Sequence, residues 1–334
     1  MRLGLAGTGR IGAFHAETLR QLPDVTDVVV ADADPSRARL TADKLGVEFA
    51  ADVDALFATE LDGLVVAAAT DAHPELILRA VDAGIPVFCE KPVARDIDGT
   101  LRVVERIAAS DVPVQIGFQR RFDAGYTAAR AAIADGRLGW IHTLRATTCD
   151  PAPPPAEYIA TSGGFFRDCS VHDFDVIRWV TGREVVDVYA VGANRGADFF
   201  RAADDVDTVG VVMTMDDGTL ALVTGTRYNA AGYDVRLEVL GAQGSLVAGL
   251  DDGVPLRSAE PGITWPNGRP YPGFMERFRT AYEAELAAFA AIVAGRGTTS
   301  PCTAQDALEA FYIAEACDRS RREHRPVNLT EIRR

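Results

Sequence analysis

Within the first 120 residues, five short apolar runs alternate with segments of helical periodicity. This rhythm constrains the fold more than any other feature of the chain. The runs are RLGLAG, DVVVAD, GLVVAAAT, IPVFCEKP and VPVQIGF. Their apolar residues are nearly continuous rather than alternating, so both faces of each strand must be covered. Ala13–Leu22, Pro35–Leu45, Pro74–Ala83 and Ile97–Ala109 supply the covering helices. Strands joined through helices in this way form a parallel sheet, and right-handed crossovers make it a doubly wound α/β layer.

Past residue 120 the rhythm changes. A helix over Ala124–Ala134 leads to the strand-like WIHTLRATTC and then to the proline-rich DPAPPPAEYIATSGG. That loop carries Tyr158 and Ile159, which mark it as ordered rather than as a linker. EVVDVYAVGA, DTVGVVMTM, TLALVTGTRY, YDVRLEVLG and GSLVAG follow at hairpin spacing, with a turn glycine in MDDGT. They predict an antiparallel sheet of about five or six strands. Helices over Phe274–Ala294 and Thr303–Arg322 close the chain. The expected architecture is therefore a doubly wound Rossmann domain over 1–120. A second domain over 121–334, built on a mostly antiparallel sheet with flanking helices, is expected to bind substrate and mediate oligomerisation.

The 48 acidic and 34 basic side chains leave a formal charge of −14. Nucleic acid and anionic membrane are disfavoured as partners, because both need a positive patch. No apolar run approaches the roughly 20 residues that cross a bilayer. The N-terminal run is short, broken by glycine and continuous with a structural motif, unlike a secretory signal. The five cysteines, Cys89, Cys149, Cys169, Cys302 and Cys317, lie far apart and lack zinc-like spacing. Free thiols in a reducing cytoplasm are expected.

GTGRIG places Gly7, Gly9 and Gly12 directly after the first strand and at the start of a helix, with Asp32 ending the second strand. This context makes the motif a dinucleotide cradle. Gly7 permits the tight turn, Gly9 the approach of a pyrophosphate, and Gly12 close packing of helix on strand. Backbone at Arg10 and Ile11 opens the helix whose N-terminus faces the phosphates. Asp32 suits the two hydroxyls of an unphosphorylated ribose and repels a 2′-phosphate, so NAD is favoured over NADP. Asp34 strengthens that bias; Arg37 and Arg39 weaken it. Thr70 and His73, past the GLVVAAAT strand, and Glu90 and Lys91, in CEKPVA at a strand end, complete the expected cofactor set. His73 is read as capping a helix beside the cofactor, and His15 as a packing or helix-surface residue.

In GGFFRDCSVHDFDVIRW, Asp168, His172, Asp175 and Trp179 recur at spacings of four, three and four, which stacks them on one α-helical face. Phe165 and Phe166 anchor the helix start in the core. An imidazole one turn from a carboxylate can serve as a general base with its tautomer held. By spacing alone the pair reads better as a surface i,i+4 contact than as a catalytic one. Asp168, His172 and Asp175 include one histidine only, and no second histidine or cysteine is suitably spaced, so no metal is expected.

The order GTGRIG, EKP, GGFFRDCSVHDFD resembles the Gfo/Idh/MocA family of nicotinamide-dependent oxidoreductases over essentially the whole chain. Within the family, the likeness is greatest to the myo-inositol 2-dehydrogenases, through GFQRRFDAGY, the proline-rich loop and GYDVRLEVLG. The resemblance implies a catalytic centre of Lys91, Asp168 and His172. It also implies substrate contacts from Lys91, Asp168 and His172, from Arg120 or Arg121, and from Asp150, Asp175 and Tyr233. The implied reaction is NAD-dependent oxidation of a cyclitol secondary alcohol, myo-inositol to scyllo-inosose, as in inositol catabolism, by a cytoplasmic homotetramer. Another inositol isomer or an aldopyranose is the alternative substrate, and an NAD-dependent glycosidase of the same fold the alternative chemistry.

Overall fold

The computed structural model describes residues 1–297 and 300–333, and they divide into two compact units. The first unit comprises Met1–Gln119 and Thr280–Leu308; the second comprises Arg120–Arg279 and Glu309–Arg334.

The first unit holds six strands: β1 (Arg2–Ala6), β2 (Asp27–Ala31), β3 (Glu48–Phe49), β4 (Gly63–Val66), β5 (Val87–Glu90) and β6 (Val114–Gly117). They lie in the order β3-β2-β1-β4-β5-β6, and every pairing is parallel. The order reverses between β1 and β4, where an open α/β sheet presents its ligand crevice. The helix ends follow from local chemistry. Asp34 caps the helix Pro35–Leu45 by accepting from the amide of Ser36, and Gly46 ends it at φ +66°. Asp96 caps Ile97–Ala108 through the amide of Gly99.

One assignment differs from the expected division at residue 120. Thr280–Leu308 belongs to the first unit, because the helix Arg279–Val293 packs its apolar side there. Leu286 and Phe289 sit in one core cluster with Leu3, Leu5, Val65 and Phe88. Gly63 on β4 makes room for them, since a methyl group there would stand 3.3 Å from the Phe289 ring. The expected single helix over Phe274–Ala294 is also two pieces, Phe274–Arg277 and Arg279–Val293. They are separated at the fully buried Phe278, whose ring lies 4.6 Å from the Arg277 guanidinium carbon.

The second unit is built on β7 (Ile141–Cys149), β8 (Val185–Ala193), β9 (Thr208–Met215), β10 (Leu220–Thr226), β11 (Asp234–Gly241), β12 (Gly244–Ala248) and β13 (Val327–Asn328). The order is β12-β11-β7-β10-β9-β8-β13. Only the central pair β7 and β10 is parallel. Burial alternates along β9 and β10, so one face is core. The other face exposes Tyr189, Val191, Val212 and Leu220. The described residues contain no helix long and apolar enough to cross a membrane.

Candidate active site

The glycine cradle of the first unit has the expected geometry. Gly7 adopts φ +98°, and a side chain there would collide with the backbone of Ala68. A side chain at Gly12 would collide with the carbonyl of Gly7, so helix and turn touch through bare backbone. At Gly9 the added atom would meet nothing within 4 Å. Gly9 is the N-cap of the helix Arg10–Gln21, with Arg10 exposed and Ile11 half-buried on its first turn. The open space above Gly9, at a helix N-terminus, fits a dinucleotide pyrophosphate.

Asp32 ends its strand nearly buried. Its carboxylate accepts from the Thr8 amide (2.6 Å), the Thr8 hydroxyl (3.0 Å) and the Asp34 amide (2.9 Å). Burial pushes its pKa up, but these hydrogen bonds outweigh that and hold the carboxyl below its ordinary range. It therefore stays ionised at the position where a ribose would be read. Arg37 stands 3.6 Å from it, more than half exposed.

Thr70 opens a short turn, Thr70–Ala72, directly before the helix His73–Asp82. His73 departs from its expected capping role, since the helix has no side-chain cap. The ring is buried instead, with Nδ1 2.7 Å from the Pro92 carbonyl oxygen and Nε2 3.0 Å from that of Ala68. His15, expected to be packing or helix surface, is fully buried with Nε2 2.6 Å from Glu90 Oε1. Lys91 follows, half-buried, and the Lys91–Pro92 bond is cis.

The remaining polar residues lie in the second unit. Phe165 and Phe166 are buried as expected. However, Phe166–Ser170 forms a π-helical turn ahead of the α-helix Val171–Thr181. A π turn carries more residues per revolution than an α turn. Asp168 thus lies on the π turn and His172, Asp175 and Trp179 on the α-helix that follows it, so the expected single α-helix is two kinds of helix. The two oxygens of Asp168 are engaged from elsewhere. Tyr158, in the proline-rich loop, donates its hydroxyl to Oδ1 at 2.7 Å. Arg227, just past β10, donates from Nη2 to Oδ2 at 2.6 Å. The other arm of Arg227 reaches Asp150 Oδ2, also at 2.6 Å. One buried guanidinium therefore bridges two carboxylates. Burial holds Asp150 above its ordinary value despite Arg227, and the charge of Asp168 adds to the rise. Burial and the Asp168 carboxylate also raise the Tyr158 phenol, so it remains a donor.

Arg227 was not singled out from the sequence. It is a lone arginine on a strand end, about 60 to 80 positions from both partners, and no local spacing links them.

Arg121 and Asp175, both expected to contact substrate, pair with each other. Arg121 Nη2 donates to Asp175 Oδ1 at 2.6 Å and its Nε to Oδ2 at 2.9 Å, with both side chains buried. Arg120 is likewise fully buried, on Asp173 (2.5 Å) and the Thr148 hydroxyl (3.0 Å). These pairs fasten the Gln119–Phe122 turn, ahead of the helix Ala124–Ala134, to the helix Val171–Thr181. Trp179 stacks against the guanidinium of Arg130, at 4.6 Å, as packing. Tyr233 is buried, and burial lifts its phenol well above the ordinary value. Among the described residues no cluster of three His, Cys, Asp or Glu side chains could hold a metal ion.

A doubly wound sheet with a glycine cradle at its switch point, followed by a mixed-sheet unit rich in buried carboxylate–arginine pairs, defines a dinucleotide-dependent oxidoreductase. Residues 1–118 match the oxidoreductase family with an NAD-binding Rossmann fold, and residues 126–247 match the GFO/IDH/MocA C-terminal domain. The chain belongs to the GFO/IDH/MocA family. It is 39% identical over 323 residues to a myo-inositol dehydrogenase of Streptomyces leeuwenhoekii, covering 96% of this chain and 97% of that one. Among solved structures it resembles a putative myo-inositol dehydrogenase from Sinorhizobium meliloti. The TM-score is 0.90 at 36% identity, over 98% of this chain and 99% of the other. It also resembles scyllo-inositol dehydrogenase from Lactobacillus casei with bound NAD(H) and scyllo-inositol. There the TM-score is 0.87 at 29% identity, over 99% of each chain.

Proposed function

We propose that the protein oxidises myo-inositol to scyllo-inosose with NAD, with His172 as general base. The near full-length similarity to inositol dehydrogenases carries this reading. Gly7, Gly9, Arg10, Ile11, Gly12 and Asp32 hold the dinucleotide, with Thr70, Glu90 and Lys91 completing its site. Bound NAD supplies the hydride acceptor. His172 takes the hydroxyl proton. Lys91 donates to the oxygen on which charge develops. Asp168 and Asp150, each paired with Arg227, accept from ring hydroxyls, and Tyr158 orients Asp168. Tyr233 lines the same cluster, its phenol affected by Arg120 and Asp150.

The proposal extends to a homotetramer in the cytoplasm. The apolar face bearing Tyr189, Val191, Val212 and Leu220 supports a subunit contact, and the free thiols of Cys89, Cys149, Cys169 and Cys317 suit a reducing compartment. A second reading keeps the chemistry and changes the ring isomer, favoured by the likeness to a scyllo-inositol dehydrogenase. A panel of myo-inositol, scyllo-inositol, glucose and galactose, followed by NADH formation with the product identified by NMR, separates the two. Turnover of the aldoses with none of either inositol would overturn both. Light scattering that returned a monomer would remove the tetramer.

A further inference from the structure

We infer that His15 and His73 are positioning residues that grip the Glu90–Pro92 segment from its two ends and so set where the Lys91 ammonium stands. The inference rests on the role proposed for Lys91. It concerns the first unit only, in which all four groups lie.

His15 holds the Glu90 end. It is fully buried, and its Nε2 lies 2.6 Å from Glu90 Oε1. Its other nitrogen, Nδ1, is buried without a hydrogen-bond partner. The rings of Phe14, Phe88 and Tyr282 stand 5.6 to 6.1 Å from the imidazole. An unpaired N–H in that cage is costly, so the proton belongs on Nε2, where it is donated to the carboxylate. The Glu90 carboxylate also needs the absence of a side chain across the sheet. A methyl group at Gly117 on β6 would stand 3.0 Å from Glu90 Oε2. Glu90 is thus seated between a donor and a glycine, and its strand-end backbone is fixed with it.

His73 holds the Pro92 end. It is nearly fully buried, with one ring nitrogen 2.7 Å from the Pro92 carbonyl and the other 3.0 Å from the Ala68 carbonyl. Ala68 is the residue whose backbone closes against Gly7. The same imidazole stands between the loop after β5 and the loop that packs on the cofactor turn, donating to one carbonyl as neutral imidazole and to both as imidazolium. Proline carries no N–H, so Pro92 can be held through its backbone only by its carbonyl. Neither histidine is asked to touch a reacting atom. Misplacing a reacting group by about 1 Å costs on the order of 100-fold in rate, which is the leverage such a grip has.

The test compares His15→Leu, His73→Leu and Lys91→Met, singly and with each histidine change combined with Lys91→Met. Histidine-to-Gln variants, which keep a donor, stand in wherever a Leu variant does not fold. Three quantities are read: kcat, the affinity for NADH by fluorescence, and hydrogen exchange of the Cys89–Arg95 peptide in the cofactor-free protein. The expected result is a kcat lower by about 10- to 100-fold with NADH affinity within about threefold. Exchange of that peptide should rise at least tenfold, with partial recovery of kcat and of exchange protection in the Gln variants. Each double variant should be no slower than Lys91→Met alone, because a residue acting through Lys91 has nothing left to position. Losses that multiply in the double variants, or NADH affinity falling in step with kcat, would make the histidines merely structural and overturn the inference. If Lys91→Met turns over as wild type, the role of Lys91 fails and the exchange data alone report the grip. If Lys91→Met is inactive and the histidine variants are normal, only the inference fails.

Discussion

Replacing Arg227 by Leu tests the buried bridge directly. The guanidinium is 5% exposed and donates at 2.6 Å to one oxygen each of Asp150 and Asp168. Leucine fills part of the space over the Phe165 ring, on which the guanidinium now lies at 4.9 Å, and leaves two carboxylates facing each other. Breaking a buried pair by removing one partner costs about 3–5 kcal/mol. For a unit of this size, each kcal/mol moves the melting temperature by about 2–4 °C, so a loss on the order of 10 °C is expected at pH 8. The loss should shrink on acidification. Without the cation, both carboxyls have folded-state pKa values above the unfolded value of about 3.9. A raised carboxyl carries no penalty below the unfolded pKa, and its penalty grows as pH rises toward the folded one. Scanning calorimetry at pH 5 and pH 8 should show a clearly smaller deficit at pH 5. Arg227→Leu combined with Asp150→Asn should recover part of the pH 8 loss, because one carboxylate then remains. A deficit below about 2 °C at pH 8, or one equal at both pH values, would refute the argument that Arg227 holds two charges in a buried site.

The two cradle glycines should behave oppositely. Gly9→Ala meets no protein atom within 4 Å, so its melting temperature should match wild type while NADH affinity, by fluorescence titration, falls at least tenfold. Gly12→Ala collides with the Gly7 carbonyl, so it should lose stability or soluble yield before binding is measured at all. Asp32→Ser should narrow the preference for NAD over NADP at least tenfold in kcat/KM; an unchanged ratio would move the discrimination to another residue. His172→Ala should lower kcat by about 10²- to 10⁴-fold with NADH binding intact, and near-normal turnover would remove it as base. Arg121→Leu should destabilise by about 3–5 kcal/mol through the stranded Asp175 charge. A change in substrate KM with no loss of stability would restore Arg121 to the substrate site.

Much of the layered architecture was legible because its signals are local. Continuous apolar strands, Asp at helix starts and Gly at helix ends each act within a few residues. Accordingly Pro35–Leu45 and Ala124–Ala134 fall where the pattern puts them. The misread boundary at Thr280–Leu308 has a different cause. Leu286 and Phe289 carry an apolar stripe that satisfies either core, and only tertiary packing chooses the one containing Leu3 and Phe88. The break at Phe278 was hidden likewise, since an alanine-rich run has helical periodicity on both sides of it.

At the candidate site the limit is sharper. The spacing of Asp168 and His172 reads as plain α-helix, and the π turn over Phe166–Ser170 leaves no mark in the composition. Its consequence is chemical. Both Asp168 oxygens are held by residues outside the helix, one by Tyr158 and one by a guanidinium that also holds Asp150. A proton gained or lost anywhere in that set changes the charge that the others feel. In the proposed mechanism the ionisation governing the oxidation rate then belongs to His172, Asp168 and Asp150 together under Arg227, not to a histidine–aspartate pair in isolation. Removing Asp150, which the helical spacing leaves out entirely, should shift the pH profile of kcat even though it lies outside the helix that carries the base.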